Sequence, residues 1–498
     1  MGGSRKEKDR CMSRSILRGV VIFALALFIL AGKVLPASAG GKESPLTEGA
    51  FLLDATTVTL RVSARKTEWS RALGNTGSHS VEIYALMPFE YTVPKDRAPI
   101  SKMTFTDADW SVSSETVTKT ATFPLPENGL YLKYAVGGKN GENITIQYIR
   151  NPEILATETK KRVSYSAKAQ EGLFANFNID MMQYSDSYAF GTAKIVQFNN
   201  YGTNPVLKHP LASVTDLQAP WKHDVDKEPF QYMLNASDME GVLTMANIMH
   251  GAASYGPGQD YIIGNEVNTR KWAYIAYVGD EQFIREYMQV FRVAYNAIKS
   301  ADANARVFIC LDHDWNRDHP VNYWEHYCVI DAKDFLIQFN DMVKAEGNID
   351  WCLAYHPHLV PLTYAKFWDN TEPYSSLVRE DKMVTIENLS VITDFLQQEE
   401  FLNTAGEVRR VLATEVTFSA NQGADVQAAA VYAAYKAVLR NPYVETIVIN
   451  QDPQEDINGI FTDKARVVFD NMDGPEVARY DVWARSVIGI PYWGKLLR

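Results

Sequence analysis

The chain has 498 residues, more than one compact core usually holds, and 46% of it is hydrophobic with 12% aromatic. That composition excludes a disordered polymer. A formal net charge of −11 works against nucleic acid or anionic lipid as partners and is compatible with a neutral ligand such as a sugar.

Residues 1–39 read as a signal peptide. Arg5, Lys6, Lys8, Arg10, Arg14 and Arg18 precede the apolar run GVVIFALALFILAG, and PASAG follows with small residues at Ala37 and Ala39. The run is shorter than the ~20 residues a spanning helix needs, which favours cleavage over anchoring. Cleavage would change the net charge from −11 to −16, because the segment carries seven basic and two acidic residues. The expectation is a secreted, extracellular or cell-surface protein, without membrane contact after cleavage and monomeric. Of the three cysteines beyond this segment, Cys310 and Cys352 lie in apolar strand-like runs and Cys328 does not. The odd number and the lack of a CxxC spacing suggest neither a disulfide framework nor a zinc site.

Residues 48–150 predict a β-sandwich-like domain. VTLRVSA, SVEIYALMP, TVTKTATFPL, LYLKYAV and ITIQYI alternate as strands do, with turns such as PENG and GGKNGEN between them.

After Asn151-Pro152 the texture changes, and residues 165–498 predict a (β/α)8 TIM barrel. Eight apolar runs, LFANFNID, AKIVQFNN, PFQYMLNA, DYIIGNEVN, ARVFICLDHDW, DWCLAYHPH, RVLATEVTFS and VETIVINQD, read as parallel strands covered on both faces. The later ones alternate with amphipathic helices. One, capped by Asp280, carries Phe283, Tyr287, Phe291, Ala294 and Ile298. A second carries Phe335, Phe339 and Val343, a third Leu389, Ile392, Phe395 and Leu396. An alanine-rich fourth runs from Asp425 through Leu439. A doubly wound open sheet is the alternative, but no GxGxxG turn follows the first strand.

In such a barrel the working residues sit at the C-terminal ends of the strands. YIIGNEVN puts Glu266 at the end of strand four, and VLATEVTFS puts Glu415 at the end of strand seven. Two carboxylates facing each other across a barrel mouth are what glycoside hydrolysis requires, one to protonate the leaving oxygen and one to attack the anomeric carbon. The competing reading has both acids solvated or paired with a neighbour such as Arg270.

Asn-Glu at strand four with Glu at strand seven resembles the large clan of retaining (β/α)8 glycosidases that includes β-glucanases, mannanases and β-xylosidases. The resemblance implies Glu266 as acid/base, Glu415 as nucleophile and Asn265 as the donor to a sugar 2-hydroxyl. It also implies that a group on strand six, Tyr355 or His356, touches the nucleophile. IIGNEVN, VFRVAYNAIKSADANARVFICLDHDWN, AYHPH and VVFDNMDGPEVARYDVWARSVIGI further resemble an uncharacterised bacterial glycosidase-like barrel family, a domain of unknown function, over Glu171 to the C-terminus. One departure is Val416-Thr417-Phe418, where the clan leads to a Gln-Gly-type continuation.

His313, His356 and His358 fall at the ends of strands five and six, and Trp315, Trp324 and Trp368 follow, with flat faces able to stack on a pyranose. HPH with DHD also resembles a metal cluster, yet metal-dependent barrels take an HxH pair from an early strand and this one falls late. The expectation is therefore a secreted retaining glycoside hydrolase acting on a β-linked oligo- or polysaccharide, with no metal and no cofactor. The rivals are a non-catalytic carbohydrate-binding or surface protein on the same barrel and a metal-dependent hydrolase.

Overall fold

Seven short strands begin the computed structural model. It describes residues 49–65, 78–106, 109, 116–138, 144–161, 173–189, 194–213, 229–276, 278–317, 329–369, 375–449 and 477–489. The expected signal peptide, Trp324 and Cys328 lie outside these. No helix among the described residues is long and apolar enough to cross a membrane.

The first strands are β1 (Gly49–Asp54), β2 (Thr57–Arg65), β3 (Ser78–Leu86), β4 (Ser101–Thr106), β5 (Thr116–Pro124), β6 (Lys133–Gly137) and β7 (Thr145–Tyr148). They form two antiparallel sheets, ordered β1-β2-β5 and β4-β3-β6-β7. Alternate residues of both, among them Val58, Leu60 and Phe123 from one and Val81, Ile83, Phe105 and Val136 from the other, build a single apolar cluster. The sequence reading had missed β1 and β4.

The second part runs β8 (Leu173–Asn178), β9 (Gln183–Ala189), β10 (Lys194–Asn199), α1 (Met239–Tyr255), β11 (Asp260–Ile263), α2 (Asp280–Ala301), β12 (Arg306–Leu311) and α3 (Ala332–Ala345). It continues with β13 (Trp351–Tyr355), α4 (Ser375–Arg379), α5 (Ser390–Phe395), β14 (Val411–Val416), α6 (Ala424–Arg440), β15 (Val444–Ile449) and α7 (Val477–Ile488). One eight-stranded sheet has the order β15-β14-β13-β12-β11-β10-β8-β9. Seven of its strands are parallel, and β9 pairs antiparallel with β8.

This corrects the eight-parallel-strand expectation. PFQYMLNA forms no strand, because Phe198 of β10 pairs directly with Ile263 of β11. Its backbone makes isolated bridges instead, Tyr232 to Tyr274 and Leu234 to Lys208. Asn235 Oδ1 accepts from the Ser237 N–H, and Asn235 Nδ2 donates to Val206 O and Asp238 Oδ2. Asp238 then caps α1 by accepting from the Gly241 N–H. The helix expected to be capped by Asp280 begins there, with Gly279 in the cap position.

Each strand of the parallel sheet divides its residues between two faces. Ile195, Ile262, Phe308, Cys310, Cys352, Ala354, Leu412 and Val448 form a small inner cluster. Their neighbours Val196, Ile263, Ile309, Leu353 and Ala413 join the large cluster under the helices. Cys310 and Cys352 are free and buried, as expected. The two parts of the chain meet over α2. Its residues Gln289, Arg292 and Asn296, at helical spacing, are all buried. Gln289 Nε2 donates to the Tyr91 hydroxyl, Asn296 Nδ2 to Leu130 O, and the Arg292 guanidinium lies 4.9 Å from the Tyr148 ring centre.

Candidate active site

Alternation along the strands aims polar residues past the inner cluster at the C-terminal ends of the parallel sheet. On β13, Cys352 and Ala354 face inward, so His356 follows them, while Tyr355 belongs to the cluster on the helix side. On β12, Cys310 faces inward and Asp312 comes next. On β10, the inward Ile195 is followed by Gln197, whose Nε2 donates to Asn265 Oδ1 at 2.6 Å.

Glu266 comes just beyond β11. Gly264 has φ +81° and Glu266 itself φ +38°, a left-handed conformation that costs a non-glycine residue about 1 kcal/mol or more. The surroundings hold this bend. Glu266 N–H points to Cys310 Sγ at 3.4 Å, Val267 N–H donates to Cys310 O, and Thr269 N–H donates to Glu266 O. Its carboxylate then turns inward, with Oε1 3.0 Å from His356 Nδ1 and 3.3 Å from His358 Nε2.

Glu415 reaches the same place by another route. Ala413 and Val416 of β14 pair with Ile447 and Ile449 of β15, so β14 carries one extra residue, a bulge. Glu415 sits in that irregularity. Its Oε2 lies 3.3 Å from His356 Nδ1 and its Oε1 3.9 Å from His358 Nε2. The two expected acids therefore converge on one imidazole and stand within two hydrogen-bond lengths of each other. Arg270, the alternative partner, bonds Asp280 and Val278 O instead.

Burial pushes the Glu266 carboxyl up, but the bonds to His356 and His358 outweigh it and hold its pKa well below the usual carboxylate range. Burial works against a charged His356. Cys310, whose Sγ is 3.2 Å from Nε2, and the Glu415 and Glu266 carboxylates overcome that and push the imidazole well above its ordinary value. The resting cluster thus carries its proton on His356 and its charge on Glu266, whereas the sequence reading placed an acid at Glu266. Asp312 lies beside them, driven well above the carboxylate range by burial and then by the charges of Asp314 and Glu266. It is tied to the Glu266 loop by reciprocal bonds with the Asn268 side chain, 2.8 and 3.0 Å. His313 faces His358 edge to face, with ring centres 5.6 Å apart, and burial lowers its pKa to about 4.

Two expected ligand contacts are corrected. Trp315 is 3% exposed and packs edge-on against Phe395, leaving no open face for a sugar. Tyr355 is fully buried on the helix side of the sheet, so of the strand-six pair His356 alone reaches the acids. Trp368 is also core. Gln197, Asn268 and Cys310 have no site role in the sequence reading, which takes Asp312 only as part of the metal-like DHD. The inward alternations Ile195-Gln197 and Phe308-Cys310-Asp312 are the signal that marks all but Asn268.

A parallel α/β sheet that gathers two carboxylates and two imidazoles at its strand ends has the layout of a hydrolytic enzyme site. The chain belongs to the Family of unknown function (DUF5722), whose model matches residues 143–496. No curated protein matches it. Among solved structures, it is similar to the family 1 β-glucosidase of Thermotoga maritima, with 11% identity over 56% of this chain and 82% of that one and a TM-score of 0.29. It is also similar to Cel44A, a family 44 endoglucanase of Clostridium thermocellum, with 13% identity over 63% and 77% and a TM-score of 0.34. So partial a superposition carries no argument about chemistry.

Proposed function

We propose that the protein is a secreted retaining glycoside hydrolase acting on a β-linked oligo- or polysaccharide. The observation that supports it is the approach of Glu266 and Glu415 to the same ring nitrogen of His356. Contacts of 3.0 and 3.3 Å to that one nitrogen keep the two nearest carboxylate oxygens short of the ~6.5–9.5 Å that admits a water in inverting enzymes, which favours the retaining route.

Glu415 attacks the anomeric carbon as the bond to the leaving oxygen breaks. Glu266 gives that oxygen a proton, which it takes from His356 Nδ1 when sugar displaces water. In the second half, Glu266 removes a proton from water as the water displaces Glu415, and the proton returns to His356. Asn265, anchored by Gln197, offers its amide N–H to the sugar, and His313 lines the cleft.

The test is a panel of chromogenic β-glycosides, with product anomer followed by NMR. Glu415→Gln is expected to reduce turnover to background on every leaving group. Glu266→Gln is expected to lose about 10²–10⁴-fold on a poor leaving group and much less on dinitrophenolate, which needs no proton. Full activity in Glu415→Gln, or an inverted product, overturns the assignment.

A further inference from the structure

We propose that Glu266, His356 and His358 form a three-ligand site for one divalent transition-metal ion of the zinc class, with its fourth position open beside Glu415. This goes beyond the hydrolase reading and stands on different grounds, the spacing of donor atoms.

Three donors face a common centre: Glu266 Oε1, His356 Nδ1 and His358 Nε2. Glu266 Oε1 lies 3.0 Å from the first nitrogen and 3.3 Å from the second. With metal–ligand bonds of about 2.0–2.1 Å, adjacent corners of a tetrahedron are about 3.3–3.4 Å apart, close to both contacts. Glu266, His356 and His358 are buried, and their ligand atoms lie within 4.8 Å of one another. A turn closed by His358 N–H to His356 O puts both rings on one side of the chain.

Hydrogen bonding alone leaves this arrangement short of protons. Each imidazole nitrogen carries at most one hydrogen, yet each of the two faces two carboxylate oxygens. A cation at the centre satisfies all three donors at once and displaces the imidazole protons. Two nitrogens and one carboxylate oxygen suit zinc, cobalt, nickel or copper and do not suit magnesium or calcium, which take oxygen shells. Cys310 against His356 Nε2 fixes the ring from behind, as an outer partner of a ligating histidine does. The late position of the HPH pair, which argued against a metal in the sequence, does not matter once Glu266 supplies a third corner.

An ion held here occupies Glu266 and the His356 nitrogen that supplies its proton, so zinc should inhibit the proposed hydrolase reversibly. The full chain, stripped with chelator and dialysed, is titrated with zinc by calorimetry and with cobalt by visible absorption. The expected result is one ion per chain and the intense ligand-field bands of four-coordinate cobalt. His358→Ala and Glu266→Gln are each expected to weaken zinc binding about tenfold or more, with the metal-free Tm confirming that each variant folds. Glu266→Gln keeps the size of the side chain and is the safer of the two. Absence of saturable one-to-one binding, or binding unchanged in both variants, overturns the metal site and leaves the hydrolase reading standing. Zinc inhibition reversed by chelator supports both. Hydrolysis that requires zinc keeps the site and overturns the two-carboxylate mechanism.

Discussion

Cys310 is an apolar thiol by position and a polar partner by contact. Its sulfur receives the Glu266 N–H and touches His356 Nε2, so one side chain steadies both the left-handed bend that carries an acid and the ring that joins the two acids. Cys310→Ser keeps a donor and acceptor but shortens the reach. It is expected to lower kcat about tenfold with KM nearly unchanged, while Cys310→Val, which removes both contacts, lowers it further. Steady-state kinetics on one chromogenic glycoside checks this, and equal kcat in all three proteins would show that the sulfur only fills space. Glu266 and Glu415 were legible in the sequence because an acid directly after a buried run is a simple pattern. Cys310 was not, since its neighbours in the chain are apolar and its partners come from β11 and β13. Trp315 misled for the opposite reason, as an indole near a strand end reads the same whether its face is open or packed on Phe395.

At the level of elements, α2 shows what periodicity reveals and what it hides. Its apolar stripe, Phe283, Tyr287, Phe291, Ala294 and Ile298, is buried as the spacing predicted. The opposite stripe reads as a solvent face but lies under the antiparallel sheets, where Arg292 and Asn296 have no exposed surface. A sequence cannot distinguish a polar face that meets water from one that meets another sheet. The same joint buries Lys133, whose ammonium lies 3.4 Å from the Tyr91 ring centre. Burial lowers its pKa to about 8, opposed in part by Glu346 and more weakly by Glu90 and Glu286, with Arg285 adding to the depression. A folded pKa below the unfolded value of ~10.4 means the unfolded chain binds more protons between the two, so this group makes stability rise as pH climbs from about 8 towards 10. Lys133→Met is expected to remove that rise. Tm measured at pH 7.5 and 9.5 for both proteins checks it, and parallel curves would place the lysine's titration elsewhere.

For the whole molecule, the break in texture at Asn151-Pro152 separates two sheet systems, yet the joint is not a linker. Gln147 Nε2 donates to Ala345 O, Tyr148 N–H to Glu346 O, and Arg292 to Glu346 O, so α2, the end of α3 and β7 share one hydrogen-bond network. Removing residues 48–150 would leave Gln289 and Asn296 without their partners Tyr91 and Leu130 and strip the Tyr148 ring from Arg292. The expected outcome is a fragment that aggregates or loses its cooperative transition, read by size-exclusion chromatography and thermal unfolding. A monomeric, cooperative fragment would show the second part to be autonomous. The parallel strand order was readable because buried strands announce themselves as apolar runs. The replacement of a third strand by a segment of isolated bridges was not, because PFQYMLNA has the same apolar content as a strand and differs in its pairing, which is limited to Tyr232 with Tyr274 and Leu234 with Lys208.

The extra residue in β14 has a consequence for comparing relatives. A glutamate in the matching alignment column need not be a glutamate in the cleft. Loss of one residue between Ala413 and Val416 would leave the sheet paired and rotate that acid toward the helices. Among kindred chains, the residue count along this strand is therefore as informative as the letter E.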